Sequence, residues 1–173
     1  MRILALSGFL VLSGVASANL VTNGGFETNT WGGTSYYLAN AGDTSITSWA
    51  VSQNSVDIVG TDYSPYDGSF AVDLAGTPGP GTISQSVGGT SAGSYAVSFW
   101  GRKSSGNTGT DGEVTVDFGS SSATVALTDT WTQYSFTMTG DLGSTTLSLA
   151  TNPTNTSFGN LFVDNVSVEA VPE

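Results

Sequence analysis

Tyr95-Ala96-Val97-Ser98-Phe99-Trp100 decides the architecture. Tyr95, Val97 and Phe99 fall on one side and Ala96, Ser98 and Trp100 on the other, the period of two that a strand with one buried face requires. Residues 113–118 repeat the pattern, with Val114, Val116 and Phe118 inward and Glu113, Thr115 and Asp117 outward. So do residues 132–138, with Tyr134, Phe136 and Met138 inward. Shorter runs at 46–51, 55–59, 70–74, 82–87, 123–127, 145–150 and 161–168 are separated by clusters of Gly, Pro, Asn, Asp and Ser. About ten short strands and no stretch of helical period predict an all-β fold, an antiparallel β-sandwich of jelly-roll type. Residues 104–112 read as a polar, Gly-rich loop, and residues 28–44 as a long connection carrying Trp31, Tyr36 and Tyr37.

Composition supports the same reading. The chain has 173 residues, a length that suits one domain. Only 10% of its residues are charged, against roughly a quarter in an average globular protein, and glycine reaches 23, a mixture of sheet and turn. With no Cys and no His, disulfides, thiolate nucleophiles, imidazole bases and Cys/His zinc sites are excluded. The net charge of −11 repels nucleic acid and anionic lipid, so no nucleic-acid partner is expected.

Arg2, the mostly apolar stretch from Ile3 to Val15 and Ala16-Ser17-Ala18 have the order of an export signal. The expected organisation is a signal peptide at 1–18, a sandwich domain at 19–169 and a C-terminal segment beginning at 170–173. The protein is therefore expected outside the cell or on its surface. The apolar stretch is short and interrupted by Ser7, Gly8, Ser13 and Gly14, which argues against a membrane span; the mature domain is not expected to insert directly.

Two acids do not fit a plain sandwich. In Leu161-Phe162-Val163-Asp164-Asn165-Val166-Ser167-Val168, parity puts Asp164 on the side of Phe162, Val166 and Val168, read as core. Glu27 follows an apolar Phe26 just after the first segment. A buried carboxylate needs a cation, and after removal of Arg2 only Arg102 and Lys103 remain, so a bound metal competes as the partner. Carboxylate and carbonyl oxygens without His or Cys select Ca²⁺. The alternative is that Glu27 and Asp164 accept backbone N–H bonds in turns. Asp57 and Asp73, also on strands, are expected to point to solvent.

The segment Asn19-Leu20-Val21-Thr22-Asn23-Gly24-Gly25-Phe26-Glu27, a strand at Trp49 and the closing Leu161-Phe162-Val163-Asp164-Asn165-Val166-Ser167-Val168 resemble the frame of galactose-binding-like domains, which include many carbohydrate-binding modules. Between them, residues 55–60, 67–76 and 81–85 resemble the DUF642, or choice-of-anchor C, group of secreted proteins. Ala170-Val171-Pro172-Glu173 is similar to the opening of a PEP-CTERM sorting signal, which would anchor a longer form through a segment missing here. The resemblance implies a structural Ca²⁺ held by side-chain oxygens of Glu27 and Asp164, backbone carbonyls of Gly25 and Ser69, and an oxygen of Asp67.

It also implies a polysaccharide or cell-surface glycan as partner. Sugars pack their C–H faces on exposed aromatics, so Trp31, Tyr36, Tyr37, Tyr63 and Tyr66 in expected loops and Trp100 with outward parity are the candidate ligand contacts. Trp49 and Trp131 are expected in the core, and residues 63–66 have the alternative of merely closing a turn. A non-catalytic role follows from the lack of a catalytic constellation. The mature chain has four Glu, with no acid pair that has a reason to be shifted, and no base for a Ser nucleophile. A structural or adhesive matrix protein that binds no sugar is the first alternative, and a glycoside-processing enzyme the more remote one.

Overall fold

The computed structural model describes residues 17–76, 79–104, 112–151 and 159–172. The expected leader lies outside the described residues as far as residue 16, as do most of the 104–112 loop and Glu173. Eleven strands are described: β1 Tyr36–Asn40, β2 Ala50–Gln53, β3 Ser55–Val59, β4 Ala71–Asp73, β5 Thr82–Thr90, β6 Gly93–Lys103, β7 Glu113–Phe118, β8 Ser121–Ala126, β9 Thr132–Gly140, β10 Gly143–Thr151 and β11 Leu161–Ala170. They form a six-stranded sheet, β1-β3-β4-β11-β6-β9, and a five-stranded sheet, β2-β5-β10-β7-β8, with antiparallel pairing throughout. The fold is the expected all-β sandwich.

The inward faces supply the core. Tyr95, Val97 and Phe99 of β6 and Val114, Val116 and Phe118 of β7 are buried as parity requires, together with Trp49, Ile83, Leu147 and Leu149. Met138 is buried, while Tyr134 and Phe136 pack against the core from its border. Each large apolar side chain so buried contributes about 1.5–3 kcal/mol. Among the described residues no helix is long and apolar enough to cross a membrane.

Three expectations are corrected. The 28–44 connection contains β1, whose Tyr36, Leu38 and Asn40 face out while Ala39 is buried. Its alternation is hidden because the inward positions are a Tyr and an Ala. Trp131 lies outside the main core and packs on the far side of the six-stranded sheet with Val59, Ala71 and Phe162.

The third correction concerns β11. Leu161 and Val163 face the core, and so do Val166 and Val168, so the strand changes parity in its middle. Pairing with β6 is irregular between Asp164 and Ser167, where Asn165 adopts φ 46°. One extra residue at a bulge exchanges the two faces. Asp164 and Phe162 therefore point away from the core, onto the outer face of the six-stranded sheet.

The opening segment supports that bulge. The Asn19 Oδ1 accepts from the Val168 and Val21 amides, Leu20 N–H donates to the Val168 carbonyl, and Val166 N–H donates to the Gly24 carbonyl at 2.9 Å. A Cβ at Gly24 would overlap the Val166 carbonyl oxygen, which explains the glycine. Asn23 then turns the chain at φ 55°, donating to the carbonyls of Thr28 and Thr47, and Phe26 becomes fully buried against Trp49. Glu27 emerges beside the outer face.

Candidate functional site

The connection between β3 and β4 lies across the outer face of the six-stranded sheet. It begins with one 3-10 turn, Thr61–Tyr63, stopped at Ser64 by a left-handed φ of 52° and by Pro65. Four side chains hold its backbone. Arg102 Nη2 donates to the Tyr63 carbonyl at 2.7 Å and Trp131 Nε1 to the Ser64 carbonyl at 3.0 Å. The N–H groups of Tyr66 and Asp67 donate to Asp164 Oδ2 at 3.0 and 3.1 Å, and those of Ser69 and Phe70 to Glu27 Oε1 at 2.9 and 3.0 Å.

Glu27 and Asp164 thus meet on one loop, as backbone acceptors. Asp164 is fully buried, and its Oδ1 also accepts from the Asn165 N–H. Burial pushes its carboxyl up to about 7; the three N–H bonds oppose the shift and the charge of Glu27 adds to it. Asp67 turns its Oδ1 onto the Gly68 N–H, and Gly25 lies beside Asn165 and Asp164. Gly68 adopts φ 63°, and a Cβ there would strike the Glu27 carboxylate. Among the described residues no three acidic side chains converge on one point.

The loop carries two of the candidate aromatics. Tyr66 stacks on Trp100 with ring centroids 3.7 Å apart and 12° between planes, and meets Trp131 edge-on. Tyr63 packs on Phe162, and the Arg102 guanidinium lies 4.6 Å from the Phe162 centroid and 5.2 Å from that of Trp131. Two cavities of about 320 Å³ flank Tyr63. The first is lined by Tyr36, Leu38, Asp57 and Tyr63, the second by Asp62, Tyr63, Ser64, Arg102, Ser104, Asn160 and Phe162. Each is at the lower end of the size range of small-ligand sites.

Sheet register explains the floor beneath them. Leu38 pairs with Asp57, Asp57 with Asp73, Asp73 with Phe162 and Phe162 with Arg102, so one row of side chains crosses five strands on the same face. The expectation that Asp57 and Asp73 reach solvent is corrected here. Asp73 is buried, with its Oδ1 accepting from Ala75 and Leu161 N–H groups, and burial pushes it up to about 7. Asp57 is half-buried and raised by desolvation to about 6, with its Oδ1 shut from solvent and without a hydrogen-bond partner. An acid pair with shifted titration exists after all. Asp73 lines neither cavity and its carboxylate is held by backbone amides, so the pair does not straddle a cleft as two glycosidase acids must.

The remaining candidates separate. Tyr36 and Tyr63 line the first cavity, Tyr66 is exposed over Trp100, and Trp100 uses one ring face in that stack. Trp31 packs edge-on against Phe70, and Tyr37 packs against the core with its hydroxyl donating to Asp43; neither lines these cavities. Sequence reasoning missed Arg102, Trp131 and Phe162 as site residues. The usable signal was that Trp100 and Arg102 are bulky yet have outward parity on one strand; Phe162 was hidden by the bulge at Asn165, which uniform parity does not reveal.

The model of the DUF642 family, described as a protein of unknown function, matches residues 19–169. The chain belongs to that family. Halomucin of Haloquadratum walsbyi is 33% identical over 178 residues, which cover 96% of this chain and 2% of that protein. DUF642 architecture is shared with carbohydrate-binding modules. TmCBM61, solved with β-1,4-galactotriose, superposes with a TM-score of 0.53 at 18% identity, covering 90% of this chain and all of that one. The CBM22-1 xylan-binding domain of Paenibacillus barcinonensis Xyn10C gives 0.52 at 13% identity over 93% and 99% of the two chains. An arabinose-bound α-L-arabinofuranosidase, MgGH51, gives 0.57 at 14% identity, but only 27% of that enzyme takes part. At these identities the likeness is one of fold.

Proposed function

We propose that this DUF642 chain is a secreted, non-catalytic carbohydrate-binding module that holds a surface or extracellular polysaccharide across the outer face of its six-stranded sheet. The observation that carries the reading is the pair of cavities on either side of Tyr63, on a loop fixed by four side chains. A half-buried ring that lines both depressions is available to sugar C–H groups, while Asp57, Asp62, Asn160 and Arg102 line them with groups that can meet hydroxyls. The xylan-binding and galactotriose-bound relatives in fold support the ligand class.

A structural Ca²⁺ at the base of the loop belongs to the same reading. The donor set suits a hard cation, because two carboxylates face one loop and Glu27 acts on Asp164 as a like charge. Glu27 and Asp164 would hold the ion, with carbonyl oxygens such as those of Gly25 and Ser69 completing the shell. When bound, it supplies charge compensation and rigidity, not chemistry.

Affinity electrophoresis through gels containing soluble plant and bacterial polysaccharides tests the binding claim. At least one polymer is expected to retard the protein, and Tyr63→Ala to abolish retardation while the variant, though less stable for the loss of packing on Phe162, is still folded at the gel temperature. Affinity is expected to be modest, because sugar hydroxyls exchange water hydrogen bonds for protein ones at little net gain. A parent that no polymer retards would replace this reading with the structural or adhesive one.

A further inference from the structure

The two cavities beside Tyr63 differ in charge. Arg102 lies in the second, together with Asp62, whereas the first has Asp57 as its charged lining residue, between the rings of Tyr36 and Tyr63 and the apolar Leu38. Asp57 has a buried oxygen that receives no donor, and its register partner Asp73 is a second acid. The cation of the row, Arg102, stands beyond Phe162 and engages the Tyr63 carbonyl. Among the described residues no cation faces the Asp57 carboxylate, and it lines a cavity walled by two tyrosines.

We propose that the first cavity takes the protonated amine of an unacetylated hexosamine unit in a polysaccharide, with Asp57 as its counter-charge and Tyr36 and Tyr63 as its walls. The inference rests on the glycan-binding reading and names the sugar class. An ammonium group supplies the positive charge that the described lining of this cavity lacks. Its attraction to aromatic faces suits the tyrosine walls. The chain's net charge of −11 draws in cationic polymers and repels uronate-rich ones. An N-acetyl group would remove the charge and bring a methyl group against Asp57. Neighbouring strands are about 4.8 Å apart, so the three steps from Asp57 on β3 to Arg102 on β6 span roughly 14 Å. That distance exceeds one sugar ring, so the adjoining unit crosses Tyr63 into the second cavity, where the guanidinium disfavours a second ammonium.

The test is calorimetric titration of the full chain at neutral pH with three β-1,4-linked tetrasaccharides that differ only at C2 of one terminal unit: the free amine, the N-acetylated form and the hydroxyl form. The amine is expected to bind about tenfold tighter than either of the others, as one charge-assisted hydrogen bond in place of a neutral one allows. Asp57→Asn, close in shape, is expected to remove that preference, and Tyr36→Ala, at an exposed ring, to weaken amine binding. The Tyr36→Ala variant decides the matter if Asp57→Asn melts early. Equal or weaker binding of the amine by the parent would overturn the proposal, and so would a preference that survives Asp57→Asn. If all three sugars fail while a neutral polymer still retards the protein in a gel, the amine assignment falls and the glycan-binding reading stands. If gels fail as well, both fall.

Discussion

Asp164→Ala is expected to lower the melting temperature by roughly 10 °C. The carboxylate accepts three backbone N–H bonds, from Tyr66, Asp67 and Asn165, in a fully buried position. Truncation leaves three donors unmatched at about 1 kcal/mol or more each, and a chain of this size loses about 2–4 °C per kcal/mol. Differential scanning calorimetry in EDTA isolates this part, since it does not depend on metal. A second comparison isolates the ion. Calcium at 100 times its dissociation constant would add about 2.7 kcal/mol to the parent. Glu27→Gln keeps an oxygen for Ser69 and Phe70 but removes a charge, so it is expected to melt near the parent in EDTA and to lose the calcium response. A parent whose melting curve is the same in calcium and in EDTA would remove the ion and leave the loop attachment intact.

The second large effect is a loss of stability as pH rises. Burial pushes Asp73 from the ordinary 3.8 to about 7. A group whose folded value is raised contributes stability that is complete below the unfolded value and lost as pH climbs through the folded one. The window therefore runs from about pH 4 to pH 7, because the native state holds a proton that the unfolded chain has released. Three pH units correspond to about 4 kcal/mol as an upper bound. Asp164, also raised by burial to about 7, acts in the same direction, and half-exposed Asp57 does so with less weight. Asp73→Asn retains an oxygen for the Ala75 and Leu161 amides, so it is expected to make the profile less steep, leaving the part due to Asp164 and Asp57, and to be more stable than the parent above pH 7. Urea denaturation across this range, in EDTA, measures it. A parent that gains stability between pH 4 and pH 7 would contradict the assignment.

The strands were legible because alternation is a strong signal where one face is buried, and Val114, Val116 and Phe118 illustrate it. β1 was missed because Tyr36 and Leu38 face out while the smaller Ala39 faces in. Asp164 was recognised as a buried acid for an incorrect reason. Uniform parity placed it in the core, and the bulge at Asn165 places it on the outer face beneath a loop. A bulge has no hydrophobic signature, and the only local cue is an Asn able to adopt positive φ. Glu27 and Asp164 could be paired from the ends of the chain, but their hold on the 66–70 amides depends on tertiary contact. The row from Leu38 to Arg102 is the least legible feature, since it joins five strands that are not consecutive in sequence.

Backbone amide chemical-shift mapping with an oligosaccharide of a polymer that retards the protein tests the central claim most directly. Perturbations are expected at Asp57, Tyr63, Ser64, Asn160 and Phe162 on the outer face of the six-stranded sheet, with β7 and β8 unmoved. Shifts gathered on the five-stranded sheet instead, with Tyr63 and Asp57 silent, would contradict it.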